Sequence, residues 1–176
     1  MHNFNKNYPD LNYFCANDTE KDLIAQGDGI NHLKIFNAET GESKFSNGIV
    51  LSNTCDINSS NKRLVLPHII FATIINYKSY YDNLNNDQIP KNRLDNHISD
   101  LKKQRITNKF YLPDNNIDKT AYIVLFDQIH SLPLDCYLKN KDRKLLFRLS
   151  TSGFYAFILK LSIHFCRLSN DIGFRL

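Results

Sequence analysis

Between Phe154 and Cys166, a helical reading puts apolar side chains on most of the helix circumference. Phe154, Ile158, Leu161 and Phe165 fall on one face, and Tyr155, Leu159, Ile163 and Cys166 on another. Only Lys160, His164 and Arg167 form a polar stripe, at i, i+4 and i+7. A helix apolar over so wide an arc has to be largely buried, with the narrow basic stripe left to face solvent or an anion. Ser150-Thr151-Ser152 just ahead supplies N-cap oxygens for its free amides.

The partner of that helix is read from short β-branched and aromatic runs. His32 to Phe36 alternates weakly, Gly41-Glu42 marks a turn, and Ile49 to Leu51 is strand-like. Leu64 to Ile75 is the most hydrophobic run of the front half; it reads as a buried strand in which Pro67 forces an edge, bulge or kink. Phe110-Tyr111-Leu112-Pro113 reads as a strand ending in a turn. Tyr122 to Phe126 is a central strand that continues through Gln128-Ile129-His130-Ser131-Leu132 to Pro133. Leu94, Ile98 and Leu101, spaced i, i+4 and i+7 among charges, predict an amphipathic helix ending near Arg105. Residues 76–92, rich in Tyr and Asn, read as a connection or short helix, and 1–27 as a loosely packed segment with a short helical stretch over 18–24.

At 176 residues with 42% hydrophobic side chains, one domain with a real core is expected over 28–176, with a helical insertion at about 76–107. No stretch reaches the length of a membrane span, and the first residues lack the apolar run of a secretory signal, so a cytoplasmic protein is expected. Cys15, Cys55, Cys136 and Cys166 form no CxxC pair, which favours free thiols over a zinc site. No metal or cofactor is expected. Net charge is +4, and residues 139–176 carry eight basic side chains against Asp142 and Asp171. That basic region suits phosphate or an acidic partner as well as plain solvation.

Chemistry concentrates where Gly48-Ile49-Val50-Leu51 runs into Ser52-Asn53-Thr54-Cys55-Asp56. Cys55 is a nucleophile candidate, with His68 across a hairpin as its base and Asp56 to orient that histidine. The same residues also read without chemistry. An adjacent carboxylate disfavours the thiolate, and Thr54, Asp56 and Asn58 can cap the backbone where the strand ends.

The order of short motifs in the back half resembles the MazF/PemK-like toxin barrel. Ile123-Val124-Leu125-Phe126-Asp127-Gln128-Ile129-His130-Ser131 is similar to that family's hydrophobic strand followed by D-Q-[VI]-x-[ST]. Gly48-Ile49-Val50-Leu51-Ser52 is similar to its central strand ending in V-[LV]-S. The resemblance covers about residues 46–75 and 108–168. It implies an α+β fold: a small, strongly bent antiparallel sheet or barrel with an inserted helix and a packed C-terminal helix. It also implies RNA binding or cleavage in a toxin or phage-defence setting, with RNA, an antitoxin-like chain or complex subunit, or a second copy as partner. The family uses an Arg near the start of the central strand, where Ser46-Asn47-Gly48 stands here, and a Thr or Ser that Thr73 matches. RNA cleavage needs a base and a cation: His68 or His130 for the first, Arg63 or Arg105 for the second. Lys160, His164 and Arg167 would add phosphate contacts, and Tyr77, Tyr80 and Tyr81 base stacking. A non-catalytic interaction module on the same barrel and a Cys55-dependent hydrolase or transferase are the competing expectations.

Overall fold

The computed structural model describes residues 12–15, 23–37, 39–58, 61, 64–87, 89–114 and 119–166. Six strands are joined into one antiparallel sheet: β1 (Gly29–Phe36), β2 (Ser43–Val50), β3 (His68–Asn76), β4 (Lys109–Leu112), β5 (Tyr122–Pro133) and β6 (Leu145–Phe147). Their order across the sheet is β4-β5-β3-β2-β1-β6. The described helices are α1 (Thr54–Ile57), α2 (Tyr77–Asn86), α3 (Lys91–Lys102), α4 (Leu134–Lys139) and α5 (Thr151–Phe165).

The α+β class agrees with expectation, but the sheet is open rather than a closed barrel. Strands β4 and β6 end it on opposite sides and do not pair with each other. The β4 edge is covered locally instead. Gln104, at the end of α3 with φ 57°, turns its amide onto β4: its Nε2 donates to the Tyr111 carbonyl at 2.6 Å, and its Oε1 accepts from the Tyr111 amide at 3.1 Å. A side-chain amide thus completes the ladder that a neighbouring strand would otherwise complete.

Alternation along the strands sends side chains to two faces. Ile49, Ala72, Ile74, Phe110, Tyr122, Val124 and Phe126 form one apolar face, covered by Ala156 and Phe157 of α5. On the other face, Leu33, Val50, Ile69, Phe71 and Leu132 pack with Ile57, Leu134 and Tyr137. Farther along that same face, Ile123 and Leu125 pack with Leu101 of α3 and the half-buried Ile75, Tyr77 and Ile98. The expected insertion is therefore two helices rather than one, α2 capped by the Asn76 side chain on the Ser79 amide.

Three sequence expectations are corrected. The run Leu64 to Ile75 is a strand only from His68; Leu64, Val65 and Leu66 are exposed. Pro67 lacks an amide for the ladder, so pairing begins after it, while its carbonyl accepts from the Leu134 amide at 3.0 Å. The described part of 1–27 is packed rather than loose. Phe14 is buried and forms a bridge with Leu149, the Ser150 amide donates to the Tyr13 carbonyl at 2.9 Å, and Gly153 leaves room for the Tyr13 backbone. The helical stretch expected over 18–24 falls mostly outside the described residues, and Leu23 and Ile24 are not helical.

The third correction reverses the orientation of α5. Ser150 caps it as expected, accepting from the Gly153 amide at 3.1 Å. Its buried side, however, is Gly153, Ala156, Phe157 and Lys160, whereas Tyr155, Leu159 and Ile163 are exposed. Lys160 runs its methylene stem along the core, and its ammonium donates to the Gln104 carbonyl at 2.5 Å. Burial lowers its pKa to about 8. A base depressed in the folded state makes folding less favourable where it must be charged, so stability rises with pH between about 8 and the unfolded value. Replacing Lys160 by Met is expected to abolish that rise, measured as the urea midpoint at pH 7 against pH 10. An unchanged rise would mean that another group titrates there.

Candidate functional site

Along β3, the residues facing α3 and α4 are Ile69, Phe71, Thr73 and Ile75. Thr73 is the only hydroxyl in that series, and it lies between the two apolar clusters of the face. It is buried. Its Oγ1 lies 3.1 Å from His130 Nε2. The pair is created by an irregularity in β5: Ala72 is opposite Ile129, but the next residue, Thr73, is opposite Leu125. Phe126, Asp127 and Gln128 therefore bulge out, pairing resumes at Ile129, and His130, opposite Phe71, is turned toward Thr73. Bulges of this kind re-aim side chains and are over-represented next to active sites. The bulge is held by Asn108, whose carbonyl accepts from the Phe126 amide at 3.0 Å and whose Nδ2 donates to Asp127 at 2.7 Å.

His130 is half-buried, its ring 5.5 Å from that of Phe71. Burial first, and the charge of Lys44 second, push its pKa below the ordinary imidazole value. It is therefore neutral at pH 7 with one nitrogen free to take a proton. In the tautomer whose Nε2–H donates to Thr73, Nδ1 carries that lone pair. Lys44 stands on β2, exposed, opposite Ile35. A neutral imidazole held by a hydroxyl, in the field of the Lys44 ammonium, is able to accept a proton.

The cluster at the end of β2 is arranged differently from its expected triad. Cys55 and Asp56 are both exposed on the single turn of α1. His68 begins β3, and its Nδ1 lies 2.8 Å from Ser131 Oγ. The strand-end turn is capped by Asn53, which accepts from the Cys55 amide at 3.0 Å, while Thr54 Oγ1 accepts from the Gln26 amide at 3.0 Å. Thr54 thus caps a backbone amide as expected, and Asn53 adds a cap that the sequence reading did not name. All four cysteines are free. Among the described residues, no group of three His, Cys, Asp or Glu side chains is placed to hold a metal ion.

Of the expected phosphate ligands, Arg105 is exposed and paired with Asp100 at 3.2 Å. Lys160 is buried against Gln104, and His164 is half-buried beside Phe126, its Nδ1 enclosed without a hydrogen-bond partner. Arg63 and Arg167 lie outside the described residues. Tyr80 bonds His97 at 2.8 Å, so it serves the α2–α3 contact. Among the described residues, no helix is long and apolar enough to cross a membrane.

Thr73 and His130 were each legible as candidates, but their pairing and the influence of Lys44 on the imidazole were not. A lysine at the exposed start of a strand carries no signal of its own. No protein-family model matches the chain, and no curated protein is significantly similar to it.

Proposed function

We propose that this protein binds and cleaves RNA in the manner of MazF/PemK-like proteins, in a toxin or phage-defence role, with His130 as general base and Lys44 as phosphate-facing cation. The observation that carries the reading is the Thr73–His130 pair at the β5 bulge, which leaves a neutral imidazole within the field of Lys44. His130 takes the proton of a 2′-hydroxyl, the 2′-oxygen attacks the adjacent phosphorus, and the P–O5′ bond breaks, the 5′-oxygen leaving as a hydroxyl with a proton from solvent. Lys44 offsets the charge that builds on the phosphoryl oxygens. It stands on the same strand as Ser46-Asn47-Gly48, near where the family resemblance implies an arginine. The open sheet departs from the family barrel, so the site and the motif order support this reading more than the architecture does.

Incubation with end-labelled single-stranded RNA tests it. Fragments ending in 2′,3′-cyclic phosphate are expected, together with binding that weakens steeply as salt rises. Neither fragments nor salt-sensitive binding would remove the proposal.

One observation favours a second reading, a protein-interaction module. The α5 face formed by Tyr155, Leu159 and Ile163 is apolar and exposed. On this reading, Leu159→Glu abolishes recovery of a partner chain and leaves RNA binding untouched.

A further inference from the structure

β5 meets β3 in two stretches that are out of step by three residues: Thr73 is opposite Leu125, yet Ala72 is opposite Ile129. Counting on from Leu125 without a break would set Ala72 opposite Phe126 and Phe71 opposite Asp127. It would also carry His130 to His68, at the far end of β3. Residues opposite each other in an antiparallel pair share a face, so the unbroken ladder would press the Asp127 carboxylate against the wholly buried Phe71. An unpaired carboxylate there is costly. The bulge sends Asp127 to solvent and gives its place opposite Phe71 to His130. The bulged residues are drawn to the β4 side. β4 pairs Lys109 with Leu125, and the Phe126 amide continues that ladder by one rung, donating to the Asn108 carbonyl at 3.0 Å. The Asn108 side chain adds the next link, its Nδ2 donating to Asp127 Oδ2 at 2.7 Å. A side-chain amide thus holds the residue that regular pairing would bury.

We infer that Asn108 and Asp127 are positioning residues for His130: their bond holds the β5 bulge out and so keeps the imidazole beside Thr73. The role rests on the reading of His130 as general base, whereas the placement stands on the strand geometry alone. Thr73 fixes one ring nitrogen from β3, and the Asn108–Asp127 bond fixes the strand that carries the ring. Release of the bulge lets β5 slide toward the unbroken register, three residues away and about 10 Å at the usual strand rise. Even a partial slip takes Nε2 out of the 3.1 Å reach of Thr73. A displaced ring also leaves its half-buried place beside Phe71, and with it the burial that lowers its pKa. The charge that bears on the ring there is Lys44 of β2.

NMR titration of the His130 ring in the full chain, its Cε1 proton identified by its absence from His130→Ala, tests the placement without any substrate. In Asp127→Ala the midpoint is expected to rise toward the ordinary imidazole value, because the ring gains solvent. Loss of a nearby negative charge alone would lower it, so the sign separates displacement from direct electrostatics. Asp127→Asn loses the same charge but keeps an oxygen for Asn108 Nδ2, and is expected to hold the midpoint at or below that of the parent. Asn108→Ala breaks the bond from the other side and should match Asp127→Ala. Asp127 is exposed, so thermal unfolding of its variants should match the parent. With RNA, Asp127→Ala is expected to lower kcat about tenfold or more at unchanged KM, a loss on the scale that misplacing a reacting group brings. Asp127→Asn should restore it. A midpoint that falls or stays in either alanine variant overturns the proposal. A rise shared by Asp127→Asn overturns it too, since the bond then carries nothing. The expected rise with no RNA cleavage by the parent would remove the RNA reading and leave the placement standing.

Discussion

Replacing Arg148 by Met is expected to lower unfolding stability by about 3–5 kcal/mol, the usual cost of stranding one partner of a buried ion pair. Asp28 is wholly inaccessible to solvent. Arg148 reaches it with two parallel bonds, Nε to Oδ1 and Nη2 to Oδ2, each 2.8 Å, and the same Nη2 donates to the Leu23 carbonyl at 2.6 Å. The carboxylate also accepts from the Ala25 amide at 2.8 Å, and the Asp28 carbonyl accepts from the Val50 amide at 2.9 Å. The Arg148 side chain thus joins the chain entering β1 to the link between β6 and α5, and the Asp28 backbone carbonyl adds the end of β2. Methionine preserves much of the length of arginine but takes the guanidinium and its two bonds away from a buried carboxylate, so the loss should appear in the urea midpoint without a change of slope. Pairing it with Asp28→Asn separates two causes. If the double variant recovers much of the loss, the cost lies in the stranded charge; if not, the pair's bonds to backbone groups carry it.

How far the fold was legible depended on which physical signal each element carried. The reading from Tyr122 to Pro133 was correct because an apolar run over Tyr122 to Phe126 is followed, after Asp127 and Gln128, by Ile129 and Leu132 ahead of a proline. The Ser150 cap and the length of α5 were likewise local properties. Which side of α5 meets the sheet was not local. Periodicity separates faces but does not say which one a sheet selects, and here the chosen side includes Lys160 because a turn carbonyl waits at Gln104. The exposed Tyr155–Leu159–Ile163 face follows from the same choice. Barrel closure depends on whether the first and last strands of the sheet reach each other, and β6, only three residues long, is joined to β1 alone.

The candidate site was legible as residue types and illegible as geometry. Cys55, Asp56 and His68 are close in sequence, which made a hairpin triad attractive. Yet His68 faces Ser131, sixty-three residues away, because β3 pairs with β5 as well as with β2. Thr73 and His130 meet only because Phe126, Asp127 and Gln128 are looped out; regular pairing would have set Thr73 against a different neighbour. An extra residue or three in one strand leaves no mark on hydrophobic alternation when the bulge begins with an aromatic that still packs in the core, as Phe126 does.

His130→Ala is expected to reduce RNA cleavage by about 10²- to 10⁴-fold, the range that a positioned general base supplies, while RNA binding changes little. The separation of rate from affinity is the useful readout, because a merely structural histidine would lower both. The pH profile adds a second. A general base works deprotonated, so the rate should climb with pH and level off once the imidazole is neutral. Burial and Lys44 depress that pKa, so the rise should be complete at lower pH than an ordinary histidine would give. Lys44→Ala removes one of the two causes and should move the rising limb toward higher pH, as well as slowing the reaction through the lost cation. Thr73→Val keeps the shape of the side chain and deletes the hydroxyl that holds Nε2. It should give a smaller loss than His130→Ala, with the limb displaced, because Thr73 positions the base and does not itself react. Cleavage by His130→Ala at the parental rate would refute the assignment of the base. A limb unmoved by Lys44→Ala would mean that the ammonium does not act on the imidazole.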